Sequence, residues 1–286
     1  MKYVFMQQHQ HIFHVKRMSQ VFAVSRSGYY HWLKCPISQR REQQATRDAQ
    51  IRQAFEQKKG RSGSPKITLD LQDQGHACNR KTVAASMRRQ GLRAKAAKTF
   101  KVTTDSKHNL PVAPNRLNRD FSATEVNQKW VSDITYLWSS EGWVYLATVI
   151  DLYSRAVIGW SLDKRMTQAL VCNALTMALW RRGFPTGVLV HSDRGSQHCA
   201  NTYQQLLKDH HLICSMSRKG NCWDNAVAES FFHTLKVELI HDEHFATRKQ
   251  LKQAVFEYIE IDYNQQRRHS TIGQISPMAF EAKQVA

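Results

Sequence analysis

The chain has 286 residues, of which 42% are hydrophobic, enough for about two domains with packed cores on the usual length prior. No apolar run approaches the roughly 18 residues needed to span a bilayer, the N-terminus turns polar too early for a secretory signal, and the six cysteines are scattered with no C-x-x-C pair. A membrane span, a disulfide framework and a finger-type zinc site built around His9, His11 and His14 are therefore not expected, and a reducing cytoplasm fits.

The net charge of +18 is carried by one part of the chain: residues 1–119 hold 24 Lys+Arg against 6 Asp+Glu, whereas residues 120–286 hold 17 of each. A basic front joined to a neutral, acid-centred back reads as a polyanion-gripping module attached to a catalytic one. Within the front, Val15, Met18, Val21, Phe22 and Val24 give helical apolar spacing, and S-R-S-G-Y-Y-H-W-L starts a second helix, so residues 10–34 read as helix, turn, helix. Tyr29, Tyr30 and Trp32 could stack on bases but read as core aromatics, and Trp130 and Trp143 likewise read as core. Pro36 and Ser38 mark a break before a long helix predicted over Arg40–Lys58. After the turn cluster G-R-S-G-S-P comes a short helix from Lys66 to Gln74. Asn79 then caps a helix with Val83 and Met87 on one face and Arg80, Lys81, Arg88 and Arg89 on the other. That is the appearance of a recognition helix, so these four cations are the predicted DNA contacts. Residues 93–119 are poor in large apolar side chains and read as an extended basic linker along a phosphate backbone.

From Gln128 the texture changes. Lys129–Trp138, Trp143–Asp151 and Ala156–Asp163 are β-type runs separated by short turns, which predicts an antiparallel meander. A helix over Met166–Arg182, a strand over Gly187–His191, a helix around Tyr203–Leu207, a strand over Leu212–Met216 and a helix over 223–240 follow. The order β-β-β-α-β-α-β-α describes a mixed sheet covered by helices. A helix over Arg248–Tyr263, the string Y-N-Q-Q-R-R-H-S and a last short helix opened by Ser276-Pro277 complete the chain.

Three carboxylates need a reason: Asp133 in W-V-S-D-I-T-Y, Asp193 in V-H-S-D-R-G-S-Q and Glu229 in D-N-A-V-A-E-S-F-F. If they converge, their repulsion calls for a multivalent cation, and oxygen-rich sites suit Mg²⁺ or Mn²⁺. Two such ions about 3.5–4 Å apart serve phosphodiester chemistry. Asp133 falls mid-strand and Asp193 at a strand's carboxyl end, a usual place for sites. Lys236 lies seven residues beyond Glu229, about two helical turns, placing a cation on the same face for a DNA phosphate. Among the neighbours, Asp151 reads as turn chemistry or a partner for Arg155, and Asp224 as a cap for the Glu229 helix. His191 either orients Asp193 or fills the strand end.

The 35 residues between Asp193 and Glu229, the basic residue seven positions later, and the strings around the three acids, with R-S-G-S-P-K-I, K-T-V-A-A-S-M-R-R-Q-G-L and Y-L-A-T-V-I-D-L-Y-S-R, resemble bacterial insertion-sequence transposases. In particular they resemble the second-frame product of the two-frame group, whose catalytic core is shared with retroviral integrases. The resemblance covers nearly the whole chain, with Ser62 standing where the group has a larger residue. It implies an RNase H-like fold, two Mg²⁺ ions held by Asp133, Asp193 and Glu229, and 3′-end cleavage followed by strand transfer. It also implies double-stranded DNA as partner, a homo-oligomer on paired ends, an upstream-frame partner or fusion, and a cytoplasmic, nucleoid-associated protein. The expected layout is a helix-turn-helix segment at 1–44, a second such domain at 45–100, a basic linker at 101–124, the catalytic core at 125–240 and a helical extension at 241–286. The rival readings are a DNA-binding regulator with an inactive nuclease-like core and an RNase H-type hydrolase.

Overall fold

The computed structural model describes residues 1–34, 39–95, 111–218 and 222–285. The chain divides into two compact units, Met1–Ala94 and Lys95–Ala286. The predicted break at Pro36 and Ser38, and residues 96–110 of the predicted linker, lie outside the described residues.

The first unit is all helical. Helices α1 (Lys2–His9), α2 (Val15–Val21) and α3 (Arg26–Lys34) bury Met6, Met18 and Tyr29 in a small core of their own, with Trp32 packed against it. Tyr30, one residue round the helix, is exposed and not the core residue expected. Helix α1 is absent from the sequence reading, because its residues alternate too irregularly to give an apolar stripe. A second core joins α4 (Gln39–Gln57), α5 (Ser64–Asp73) and α6 (Arg80–Arg89) through Ile51, Ile67, Leu71, Val83 and Met87. Asn79 caps α6 as expected, its side chain accepting the Thr82 N–H at 2.9 Å.

The second unit is built on a five-stranded sheet of order β3-β2-β1-β4-β5. Strands β1 (Lys129–Ser139), β2 (Gly142–Asp151) and β3 (Val157–Asp163) form the antiparallel meander. Strands β4 (Leu189–Ser192) and β5 (Ile213–Met216) run parallel to β1. Helices α7 (Gln168–Arg182) and α8 (Asn201–Asp209) cover one face, over Trp130, Ala147, Val149 and Val190. Helices α9 (Ala226–Leu235) and α10 (Arg248–Glu257) cover the other, over Val131, Leu137, Leu146 and Ile150. The sheet face against α7 is tight: a Cβ on Gly159 would run into the Ala174 carbonyl and Ala178.

Three more elements depart from the sequence reading. The part of the linker at 111–124 is no free arm. Leu117 is buried in the core, and Arg116 and Leu117 donate their N–H groups to the Ser215 hydroxyl at 2.9 and 3.1 Å. The single predicted helices over 223–240 and 248–263 each lose regularity, widening at Lys236–Ile240 and Tyr258–Gln266. A last helix, α11 (Pro277–Val285), ends the described chain. No helix among the described residues is long and apolar enough to cross a membrane.

Candidate active site

Strand register creates the site. β1 and β4 pair in parallel from Lys129↔Leu189 to Ser132↔Ser192 and then stop. Asp133 and Asp193 are the next residue on each strand, so two acids stand side by side where the paired strands part. Parallel strands end with their carbonyls and side chains converging on one mouth, where α/β sheets place ligands. The Asp193 carboxylate accepts the Gly195 N–H at 3.0 Å in the turn that follows. A Cβ on Gly195 would sit 3.0 Å from that carboxylate, so the turn needs a glycine to wrap so closely. Asp133 accepts its neighbour's N–H, from Ile134 at 2.8 Å.

Burial pushes the Asp133 carboxyl well above the usual range, and the charges of Asp193 and then Glu229 add to it; the Ile134 N–H and Lys236 oppose the shift. A proton or a cation must therefore offset this concentration of negative charge. Glu229 enters from α9, on the flank of the stripe formed by Ala228, Phe231, Phe232 and Leu235. It stands exposed on the rim, and partial desolvation raises its carboxyl as well. Among the described residues, no three His, Cys, Asp or Glu side chains are close enough together to hold a metal ion. The structure thus brings Asp133 and Asp193 together and leaves Glu229 within electrostatic range of Asp133. The donor chemistry of the three acids fits a hard divalent cation, because each is a carboxylate. Lys236 holds its ammonium 4.7 Å from the Tyr136 ring centroid, and burial lowers its pKa against the pull of Asp133.

One network runs beneath all three acids, and the sequence reading misses it. The buried His198 ring contacts the Asp193 carboxylate through Nδ1 at 2.8 Å and the Ser132 hydroxyl through Nε2 at 3.2 Å. The Ser132 carbonyl accepts the side-chain N–H of Asn225 at 3.2 Å, and Asn225 immediately precedes the helix of Glu229. The only sequence signal for His198 is its position five residues after Asp193, in a turn with no helical or strand period. His191, weighed as a possible orienting residue, instead contacts the hydroxyls of Ser215 and Ser217 at 2.8 and 3.1 Å. Burial lowers its pKa to about 4, so it is neutral at pH 7. Asp151 is a turn residue, accepting the N–H groups of Asn127 and Tyr153 at 2.9 and 2.8 Å. Asp224 makes no cap bond to the Glu229 helix among the described residues. Its buried carboxylate is instead held by Arg218, Arg119 and Asn115, and the bonds from Arg218 and then Arg119 keep its pKa far below the usual range.

In the first unit, Arg80, Lys81, Arg88 and Arg89 are all exposed on α6. They are not equivalent. The Arg89 guanidinium pairs with Asp48 at 2.6 Å, and Asp48 also accepts from Ser86 at 2.6 Å, so Arg89 ties α6 to α4. A groove of about 490 Å³ runs between these helices, with Arg40, Arg47, Lys81 and Arg89 among its walls. Cations ranged along one groove suit a phosphate backbone.

Comparison with known proteins places these features in context. The integrase core domain family matches residues 123–222, a second integrase core domain model matches 229–285, and an HTH-like domain matches 40–100. The transposase InsF for insertion sequence IS3A of Escherichia coli (strain K12) is 54% identical over a 288-residue alignment covering 100% of both chains. An uncharacterized 31 kDa protein of insertion element IS600 from Shigella sonnei is 44% identical over 266 residues, covering 93% of this chain and 98% of that one. Among solved structures, a chain of the simian T-cell lymphotropic virus intasome in complex with PP2A regulatory subunit B56 gamma superposes with a TM-score of 0.47 at 15% identity, covering 77% of this chain and 70% of that one.

Proposed function

Because the chain belongs to the IS3 transposase family and carries an integrase core of RNase H-like fold behind an HTH-like domain, we propose that it cleaves 3′ ends of an insertion sequence and joins them to target DNA. The observation that carries this reading is the pairing of Asp133 with Asp193 at the parting of β1 and β4, where each carboxylate is costly beside the other. Asp133, Asp193 and Glu229 would hold two Mg²⁺ ions, with Mn²⁺ as substitute. These would supply Lewis-acid activation of the attacking oxygen and charge stabilisation of the leaving one. In the first step water displaces the element's 3′-oxygen from a phosphodiester. In the second, the freed 3′-hydroxyl displaces a target 3′-oxygen, so one ester bond forms as another breaks. Gly195 and His198 hold the Asp193 carboxylate through one N–H and one ring nitrogen. Lys236 would neutralise a phosphate near the scissile bond.

Labelled element ends incubated with a plasmid, with and without Mg²⁺, test the reading. Joined products support it. Cutting of RNA–DNA hybrids alone would make the protein an RNase H-type hydrolase. Retention of DNA without any cutting would make it a DNA-binding regulator. Action as an oligomer on paired ends, together with an upstream-frame partner or fusion, belongs to the same proposal. Adding that partner to the assay tests it.

Two further outcomes follow from the geometry. His198 acts on the chemistry only through Asp193 and Ser132, as a positioning residue. His198→Ala should lower single-turnover cleavage by about 10–100-fold, the scale for removing a partner that orients a ligand. Its apparent requirement for Mg²⁺ should rise, while His198→Asn, which retains a side-chain donor, should recover part of the rate. Loss of folding stability with an unchanged Mg²⁺ requirement would reduce His198 to a core residue. On α6, Lys81→Gln with Arg88→Gln should weaken DNA binding and flatten the plot of log affinity against log salt by about one unit for each phosphate no longer neutralised. An unchanged slope would put the phosphate-binding cations elsewhere. Arg89→Gln should instead cost stability, by up to about 1 kcal/mol, because it removes the ion pair with Asp48 that ties α6 to α4.

A further inference from the structure

Beyond Ser132 β1 leaves β4 behind, and beyond Tyr136↔Tyr145, where β3 ends against β2, β1 and β2 continue alone as a two-stranded ribbon to Ser139↔Gly142. This ribbon carries large aromatics where a sheet edge usually carries charge. Trp138 and Trp143 are paired across the strands, with ring centroids 4.8 Å apart at 73°, and Tyr136 meets Trp143 edge-on at 5.0 Å. Trp138 is 53% exposed and Trp143 44%, so Trp143, unlike the buried Trp130, is not the core residue that the sequence reading makes it. Exposed tryptophans on a hairpin give little to the core beneath, so folding alone does not account for them.

Cations flank the cluster. Lys236 lies over the Tyr136 ring. The Arg248 guanidinium lies against the hairpin at Gly142, where an added Cβ would stand 3.0 Å from it. The turn at the hairpin's tip carries one acid, Glu141, which accepts the Arg248 backbone N–H at 2.8 Å. The ribbon is also braced from behind: Ser140 donates its N–H to the Phe245 carbonyl at 2.9 Å, and its hydroxyl contacts His244 at 3.0 Å. A rigid, exposed π surface edged by positive charge matches single-stranded nucleic acid, whose bases stack on aromatic faces while its phosphates seek cations.

The cluster is also in reach of the acids. Tyr136 and Trp138 follow Asp133 by three and five residues, about 10 and 16 Å along a strand. That span corresponds to about three to five nucleotides at the ~3.4 Å spacing of a stacked strand. Asp133 and Tyr136 occupy opposite faces of β1. A DNA strand would therefore pass round the edge that β4 leaves open, and Lys236 sits at that edge within the field of Asp133.

We propose that Tyr136, Trp138 and Trp143 form a stacking site for unpaired DNA bases, which holds a frayed or single-stranded segment next to the strand at the Asp133 pocket. The site rests on the transposase reading of the Asp133 pocket and adds to it a preference for ends that are already open. Stacking of this kind typically changes affinity by roughly tenfold per base.

The test uses the full chain in EDTA, so that binding is measured without cleavage. Its probes are a blunt element-end duplex and the same duplex with a short unpaired extension carrying 2-aminopurine. The wild-type protein should bind the extended duplex about tenfold more tightly than the blunt one and quench the 2-aminopurine. Trp138→Leu with Trp143→Leu keeps an apolar surface but removes the rings, and should bring that ratio close to one and abolish quenching. Trp138→Phe with Trp143→Phe should restore both. Absence of a preference or of quenching in the wild-type protein would overturn the proposal without reference to any variant. A leucine variant that keeps the ratio also overturns it. If that variant sediments as a smaller species than the wild type, the aromatic face is a contact between copies and the stacking site falls. Joining activity in a protein with no extension preference would sink this site alone, and a preference in a protein that joins nothing would sink the transposition chemistry alone.

Discussion

Asp193→Asn is expected to leave a folded protein that binds element ends and cuts none of them. Asparagine keeps the shape of the side chain and one carbonyl-type oxygen, so contact with the Gly195 N–H or with His198 can persist. It loses the negative charge that, beside Asp133, makes the mouth of the sheet attractive to a divalent cation. Single-turnover cleavage with Mg²⁺ should fall by about 10⁴-fold or more, the scale seen when a group central to the chemistry is removed. Gel-shift affinity for the same ends should change little, because the phosphate contacts are assigned to other residues. The sign of a second effect can be fixed. The Asp193 charge helps hold the Asp133 carboxyl above its usual range, so removing it should move the Asp133 pKa downward. Relief of that repulsion should leave the variant at least as stable as the parent in chemical unfolding. A variant that cleaves within about tenfold of the wild-type rate would exclude Asp193 from the chemistry. A variant that neither cleaves nor binds would show instead that the substitution damaged the fold.

The three acids could be read from the sequence because each violates its local pattern. A carboxylate inside an apolar strand or just past one stands out in a single chain, and the gap from Asp193 to Glu229 adds a long-range constraint. The meander was legible for a similar reason: its apolar runs are long and its turns are short. What sequence could not supply is register. Only the parallel pairing that ends at Ser132↔Ser192 sets Asp133 beside Asp193. His198 escaped notice because its role depends on the turn folding back beneath β1, and His191 drew attention by standing closer to Asp193 along the chain. Arg89 looked like its neighbours on α6 because Asp48, its partner, is 41 residues away on another helix. Residues 111–124 looked like a linker because Leu117 is their one fully buried side chain in the core, with Phe121 and Ala123 packed beside it, and so few apolar residues make no pattern. The rim position of Glu229 was equally invisible, since a side chain on the flank of an apolar stripe has the same sequence signature whether it faces inward or out.

Arg267→Ala is expected to destabilise the second unit severely. The closing string Y-N-Q-Q-R-R-H-S marks a family, and the structure gives its residues physical work. Asn264 bonds both the N–H and the carbonyl of Val157, at 3.0 and 2.9 Å, at the start of β3. Arg267 reaches back to Glu238, with contacts at 2.9 and 3.0 Å, and Tyr258 donates its hydroxyl to the same carboxylate at 2.8 Å. The Glu238 side chain is 10% exposed and that of Arg267 19%. Truncating the arginine removes the cation paired with Glu238 and leaves that carboxylate charged in a nearly dry place. Breaking a buried pair in this way costs about 3–5 kcal/mol, and the partial exposure of Arg267 points to the lower end. For a unit of this size that corresponds to a fall in melting temperature of roughly 10 °C. Removing both partners, as Glu238→Leu with Arg267→Met, should recover most of the loss, because a matched apolar pair escapes the desolvation penalty. Thermal and chemical unfolding of the two single variants and the double variant form the cycle that measures this coupling. A loss below about 1 kcal/mol for Arg267→Ala would mean that water already screens the pair as it screens a surface bridge. The consequence for activity follows from chain order. Glu238 lies in the widened turn that begins at Lys236, directly after the helix that carries Glu229. Loosening that turn should reduce cleavage in Arg267→Ala even at temperatures where the protein stays folded, and the Glu238→Leu with Arg267→Met variant should regain cleavage along with stability.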